Sequence, residues 1–249
     1  MKTRELSITG LVLRKVNFRE TSVILDLLTA ELGKISLIAK GARQNKSKFS
    51  GCFDLLNLVE FELYKKPQSD WYLVQSASVL HTHLYEISFQ QNILMQAAAE
   101  IIRQLHIPHE DQSEIFQLME YYLDYIPKIS GNGIAIFWRF MLRLLTILGI
   151  NLELNRCVIC GEKKSEFSAF SIKFHGLICS NCFRPSLALP FSKPKEVSSL
   201  FNQINSIGNL LEQLEISPLT IKQINQIFLD HLQEHFHKSF SLKTLTLYK

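Results

Sequence analysis

The sequence predicts an α+β chain of more than one domain: a small N-terminal β-barrel, then an α-helical bundle with a metal-stapled insert. Three observations carry that expectation. Residues 6–80 fall into short runs with the two-residue period of strands, separated by turn residues. After residue 85 the apolar period lengthens to that of a helix. Within the helical part, four of the five cysteines crowd into one short stretch.

The strands follow in order. "SITGLVLRKV" ends at the polar turn "NFRE", and "TSVILDLLT" runs to "AELG", where Gly33 permits a tight turn. "KISLIAK" leads into a basic loop. "LLNLVEFELY" sets Val59, Phe61 and Leu63 on one face against Glu60, Glu62 and Tyr64 on the other. After "KKPQSD", "WYLVQSASV" closes the set. Five strands in about 75 residues is the size of an OB-fold, whose loops and one face bind oligonucleotides. An SH3-like barrel fits the same strand count. The expected division is a barrel over 1–80 and a helical domain over 81–249, with an insert at 155–186.

The helical part begins with "QQNILMQAAAEIIRQL", broken by Pro108. "EDQSEIFQLMEYYLDYI" follows, ended by Pro127, Gly131 and Gly133. "IAIFWRFMLRLLTILG" is apolar nearly all round, which predicts burial, and Gly149 suits its C-terminal cap. Two further helices are expected near 194–215 and 218–238. Ser217-Pro218 opens the second, and Ile221, Ile224, Phe228 and Leu232 repeat at helix spacing within it.

The chain has 249 residues, 47% hydrophobic and 20% charged, the composition of a globular protein. No apolar run reaches the ~18 residues of a membrane helix. "MKTRELSITG" carries charges of both signs and no apolar h-region, so neither export nor disulfides are expected. The net charge of +4 is unevenly placed. Residues 1–80 hold 12 Lys/Arg against 8 Asp/Glu, and residues 81–249 hold 15 of each. Between Glu31 and Asp54 there is no acid at all, and Lys34, Lys40, Arg43, Lys46 and Lys48 fall in that window. With Lys15 and Arg19 on neighbouring turns, these cations can track a phosphate backbone without reading sequence. Single-strand binding also wants aromatic platforms, for which Phe18, Phe49 and Tyr72 are candidates, with burial in the barrel as the alternative.

Cys157-x2-Cys160 and Cys179-x2-Cys182 lie 18 residues apart, the spacing of a zinc site. Four thiolates complete a tetrahedron and leave no position for water, so one structural Zn2+ is expected, with Lys163, Lys164 and Lys173 softening the site's charge. "FSAFSIKFHG" can form the hairpin that brings the pairs together. Cys52 reads as a small buried hydrophobe. The glycines of a P-loop are missing around Lys46, where Lys40 and Asn45 stand instead. There is no H-E-x-x-H and no G-x-S-x-G, so no catalytic residue is assigned and no enzyme is expected. His81-x-His83 reads as a solvated strand end, and His231 and His235, with His237 close by, as a helix surface. A metal site is the alternative for both.

The run "GLVLRKVNFRETSVILDLLTAELGKISLIAKGARQNKSKFSG" resembles the N-terminal barrel of the RecO family of bacterial recombination mediators. Its carriers are Gly10-Leu11-Val12-Leu13, Glu20-Thr21-Ser22, Gly33-Lys34 and Ala39-Lys40-Gly41-Ala42-Arg43. "FELYKK", His231-Leu232, Lys238 and Ser241-Leu242-Lys243 also fit, as does the cysteine set after the third helix. The tail "FHKSFSLKTLTLYK" has fewer arginines than the family pattern. The resemblance implies a cytoplasmic, nucleoid-associated protein of recombinational repair without enzymatic activity. It implies binding to single- and double-stranded DNA and annealing of strands coated by single-strand DNA-binding protein. It also implies RecA loading with RecR. Arg139 and Arg143 on "IFWRFMLRLL" offer a groove for that binding protein's acidic tail, or else belong to a plain core helix with exposed arginines. The rival class is a zinc-stabilised protein adaptor that does not touch DNA.

Overall fold

The computed structural model describes residues 4–65, 71–204 and 215–248. The chain forms two compact units, residues 1–127 and 128–249.

In the first unit, β1 (Arg4–Phe18), β2 (Ser22–Thr29), β3 (Gly33–Ala39), β4 (Asn57–Lys65) and β5 (Tyr72–Thr82) make a closed barrel in the order β1-β2-β3-β5-β4. The long β1 serves two neighbours, pairing with β4 along its first half and with β2 along its second. It turns between them through an irregularity at Val12/Arg14. Gly10 sits at the crossover, where a Cβ would come within 2.9 Å of the Leu27 side chain and push its methyl aside. A short parallel contact, Leu37 with Tyr72 and Ile38 with Leu73, closes the ring. Joining strands so far apart in sequence gives the OB-like connection and sets the SH3-like alternative aside.

The expected alternation holds on β4: Val59, Phe61 and Leu63 are buried, while Glu60 and Glu62 face out. The mouth of the barrel is closed by the loop 40–56. Phe49 and Phe53 stack 5.1 Å apart, and Phe53 stacks on Phe61 at 6.0 Å. Cys52 joins the same apolar cluster, as expected of it. The buried Asn57 amide donates to the carbonyls of Gly51 and Cys52, which satisfies two groups the plug carries inward.

α1 (Phe89–Gln104) begins with a full capping box between Ser88 and Gln91. α2 (Gln112–Tyr125) follows, and the Tyr122 hydroxyl donates to the Leu94 carbonyl at 3.1 Å. His83, just past β5, is not the solvated strand end the sequence suggests. It is 6% exposed, and its Nδ1 lies 3.6 Å from Asp124 of α2. The two-residue period places His81 and His83 on one face, but it does not reveal that a helix covers the second.

The second unit opens on α3 (Gly133–Ile147), buried along most of its length as its composition predicts. The Trp138 indole donates to Asn225 at 2.8 Å. A small sheet follows, with β6 (Ala169–Ser171) between β7 (Gly176–Ile178) and β8 (Leu189–Pro190). α4 (Pro194–Gln203) covers the start of the expected 194–215 helix, and residues 205–214 lie outside the described residues. α5 (Pro218–Phe236) starts at Ser217, whose hydroxyl accepts from the Thr220 N–H.

Two outcomes follow from these contacts. Phe53→Ala should remove about 3–5 kcal/mol by opening a cavity under the loop, read as a lower urea midpoint. The second concerns pH. Burial, helped by His81, holds His83 down to about 4 from its ordinary 6.5, while Asp124 acts in the opposite sense. The unfolded chain therefore takes up this proton at higher pH than the folded one. The stability that neutral His83 contributes is full above pH 6.5 and is lost as pH falls toward 4. Unfolding midpoints of His83→Gln should accordingly fall less than those of the wild type across that window.

Candidate nucleic-acid interface and metal centre

The basic loop is held from beneath and left open above. Its backbone runs through consecutive tight turns, with hydrogen bonds from Gln44 to Gly41, Ser47 to Gln44, Ser50 to Ser47 and Cys52 to Phe49. Gly41 takes φ +69°, the left-handed conformation that lets the chain leave β3 so sharply. Because Phe49 and Phe53 point into the barrel, the polar residues between them and β3 point out.

The seven expected cations do not share one role. Lys40 and Lys46 are exposed and make no hydrogen bond or ion pair among the described residues. Arg43 is exposed too. Its backbone N–H donates to Thr21 at 2.9 Å and its guanidinium to the Arg19 carbonyl at 3.3 Å, which ties the loop to the β1–β2 turn. Arg19 lies over the Phe18 ring at 5.1 Å, at the same end of the barrel. Lys48 donates to the Gln75 carbonyl at 2.5 Å and covers the Phe49 ring. Lys15 pairs with Asp54 at 3.1 Å, the acid that ends the acid-free window. Lys34 is turned away from this group. Its ammonium donates to the Arg103 carbonyl at 2.9 Å and to that of Leu105, at the C-terminus of α1. A cation there satisfies open carbonyls and complements the helix dipole. The structure thus ties Arg43 to the turn of Arg19, leaves Lys40 and Lys46 exposed on the same loop, pins Lys48 to β5 and turns Lys34 to α1.

Of the candidate aromatics, Phe49 is 4% exposed and serves as an anchor. Phe18 and Tyr72 remain half-buried, Tyr72 with Lys65 over its ring at 5.3 Å. Trp71, which sequence reasoning did not single out, is 42% exposed at the start of β5, beside β3. On the outer face of β1, β2 and β3, Asp26 is neutralised by Arg14 at 3.5 Å and accepts from Ser36 at 2.7 Å. The "IFWRFMLRLL" helix offers no open apolar groove of its own. Phe137, Trp138, Phe140 and Met141 are buried, Arg139 is half-buried and Arg143 is exposed.

In the second unit the expected hairpin forms from β6 and β7. It brings Cys157, Cys160, Cys179 and Cys182 together, with all four sulfurs within 4.8 Å of one another. Tetrahedral thiolates at about 2.3 Å from a metal stand roughly 3.8 Å apart, so this cluster is of a size to hold one ion. Gly161, at φ +75°, lets its N–H return to the Cys157 carbonyl at 2.8 Å and fold the first knuckle. Burial pushes the Cys157 thiol up, but the N–H groups of Cys179, Cys160 and Ile159 outweigh it and hold the group down to about 6. Lys164 pairs with Glu162 and feels the sulfurs of Cys160 and Cys179.

One cluster adds a third histidine to the His231 and His235 pair, for which a metal site is the alternative reading. His231 is not on a helix surface but fully buried, and it meets His235 and His175. His175 lies in the turn of the cysteine hairpin. The available signal was an i,i+4 histidine pair together with a third histidine between the two cysteine pairs.

Comparison with known proteins agrees with this architecture. Residues 1–83 match the family model described as Recombination protein O N terminal, and residues 88–244 match that described as Recombination protein O C terminal. A protein of Rhodopirellula baltica named DNA repair protein RecO is 30% identical over 85% of this chain and 77% of its own length. One of the same name from Acetivibrio thermocellus is 27% identical over 96% and 97%. Another, from Prosthecochloris aestuarii, is 32% identical over 61% of this chain and 58% of its own length. Both halves of the molecule are covered by these matches, and the chain belongs to the recombination protein O family, the RecO proteins of DNA repair.

Proposed function

We propose that the chain binds single- and double-stranded DNA without sequence preference through the basic end of its barrel. In this reading it anneals complementary strands coated by single-strand DNA-binding protein and, with RecR, helps to load RecA, all without a catalytic step. The observation that carries the DNA contact is the loop 40–56: its aromatics face the core while Lys40, Arg43 and Lys46 face outward. Such a group attracts phosphates by counterion release and reads no bases. Trp71 and Phe18 are the aromatics placed to stack on bases. RecR and the single-strand DNA-binding protein enter as partners from the family, together with the exposed Arg143 for an acidic tail. The four cysteines hold one structural Zn2+. With every coordination position a thiolate, that ion fixes the hairpin and has no site for substrate.

Fluorescence anisotropy with unrelated oligonucleotides at several salt concentrations tests the DNA reading. Arg43→Ala/Lys46→Ala should weaken all sequences alike and reduce the single-strand salt slope by about 1.4, at roughly 0.7 per phosphate contact. Lys34→Met should lower stability and leave the slope unchanged. An unaltered slope in the double variant would falsify the assignment, and no binding at low salt would leave a protein adaptor. For the cysteines, a thiol-blocking mercurial should release one equivalent of Zn2+ per chain. Cys157→Ser should abolish that release and lower the melting temperature.

A further inference from the structure

Outside the cysteine cluster the second unit gathers three imidazoles that the DNA reading does not use. His231 and His235 stand one turn apart on α5, and His175 reaches them from the β6–β7 turn. The ring centres are 5.0 Å apart for His175 and His231, and 4.5 Å for each of the other two pairs. One nitrogen from each ring lies within 4.8 Å of those of the other two.

The hydrogen bonds say which atoms are available. His231 Nε2 is 2.7 Å from the Ile150 carbonyl oxygen. A carbonyl only accepts, so Nε2 carries the proton and Nδ1 presents a lone pair. That Nδ1 is buried, in a residue of 0% exposure, and has no hydrogen-bond partner among the described residues. His175 Nδ1 is also buried without one. Packing of three rings accounts for their edge and tilted contacts, but it leaves two buried nitrogens unsatisfied, which costs free energy. A cation accepts both. The His231–Ile150 bond is the outer-shell contact that orients a metal-ligating histidine. His175 also takes φ +52°, a left-handed conformation rare in a non-glycine residue, of the kind retained where a side chain must be aimed.

We propose that His175, His231 and His235 form a second metal site, taking a divalent cation of the Zn2+ class. Imidazole nitrogen suits Zn2+ and disfavours Mg2+ or Ca2+. Metal–nitrogen bonds of about 2.0–2.1 Å need nitrogens roughly 3.3 Å apart in a tetrahedron, a spacing within the reach of this cluster. Three neutral ligands leave the ion's double charge in place and its fourth position open to water or an anion. This differs from the closed, four-thiolate site. The ion would clamp the cysteine hairpin to α5, because one ligand comes from the hairpin and two from the helix.

Metal analysis of tag-free protein, before and after the thiol-blocking mercurial, tests the site separately from the cysteines. The expected result is two equivalents of Zn2+ per chain, of which the mercurial releases one. His235→Gln and His175→Gln should each retain only the releasable equivalent. His235→Gln should also lose the rise in melting temperature that added Zn2+ gives the wild type. A wild type holding no equivalent beyond the mercurial-released one overturns the proposal, as does a second equivalent that survives in both variants. Loss of the mercurial-released equivalent alone would count against the cysteine site and leave this one standing.

Discussion

The apolar plug in the mouth of the barrel is the contact on which the rest of the first unit depends. Phe53 lies between Phe49 and Phe61 and joins a surface loop to the core of the sheet. A 17-residue connection of mixed polarity would otherwise have no reason to hold one shape (residues 40–56). Burying each aromatic contributes about 1.5–3 kcal/mol, enough to offset the ordering of a few residues. The tight turns between Gly41 and Cys52 satisfy the backbone locally, so the loop needs no strand partner. Asn57 meets the carbonyls that burial would strand.

Anchoring the loop from below decides what its charges can do. Clustered ammonium and guanidinium groups repel one another, and a flexible loop would spread them. Here Lys48 and Arg43 are tethered to backbone carbonyls, while Lys40 and Lys46 stand exposed. Two nearby acids are matched, Asp54 by Lys15 and Asp26 by Arg14, while Glu20 is exposed in the β1–β2 turn. Exposed pairs of this kind add little to stability. Their effect is to leave the cations of the loop in excess at that end of the barrel.

The second unit solves a different problem. The residues between α3 and α4 carry only strands of two or three residues, yet Phe167, Phe170, Leu177, Ile178 and Phe191 are buried. The four sulfurs gather at a size that fits one metal ion, a cross-link that would add to this packing. Hydrogen bonds then join the insert to its surroundings: Ser198 of α4 accepts from the Phe167 N–H at 2.8 Å, and Gln223 of α5 accepts from the Ser192 N–H at 3.0 Å. Buried His231, bonded to the Ile150 carbonyl, ties α5 to the segment that leads into the insert.

The sequence by itself determined the parts whose signals are local. Alternation along β4, the apolar length of α3, the Ser217-Pro218 helix start and the cysteine spacing each follow from neighbours a few residues apart, and each appears as read. So does the count of five barrel strands. Only the tertiary structure decided matters that join distant residues. Lys34 and Lys46 look alike in the chain, yet one caps α1 and the other faces water, because β3 begins beside the C-terminus of that helix. Phe49 in the loop and Trp71 just before β5 are both aromatic residues outside the strands, yet one is an anchor and the other is exposed. His83 and His231 read as surface residues until a helix or a hairpin covers them. Periodicity reports which face a side chain takes on its own element. It carries no information on what another element, dozens of residues away, will bring against that face.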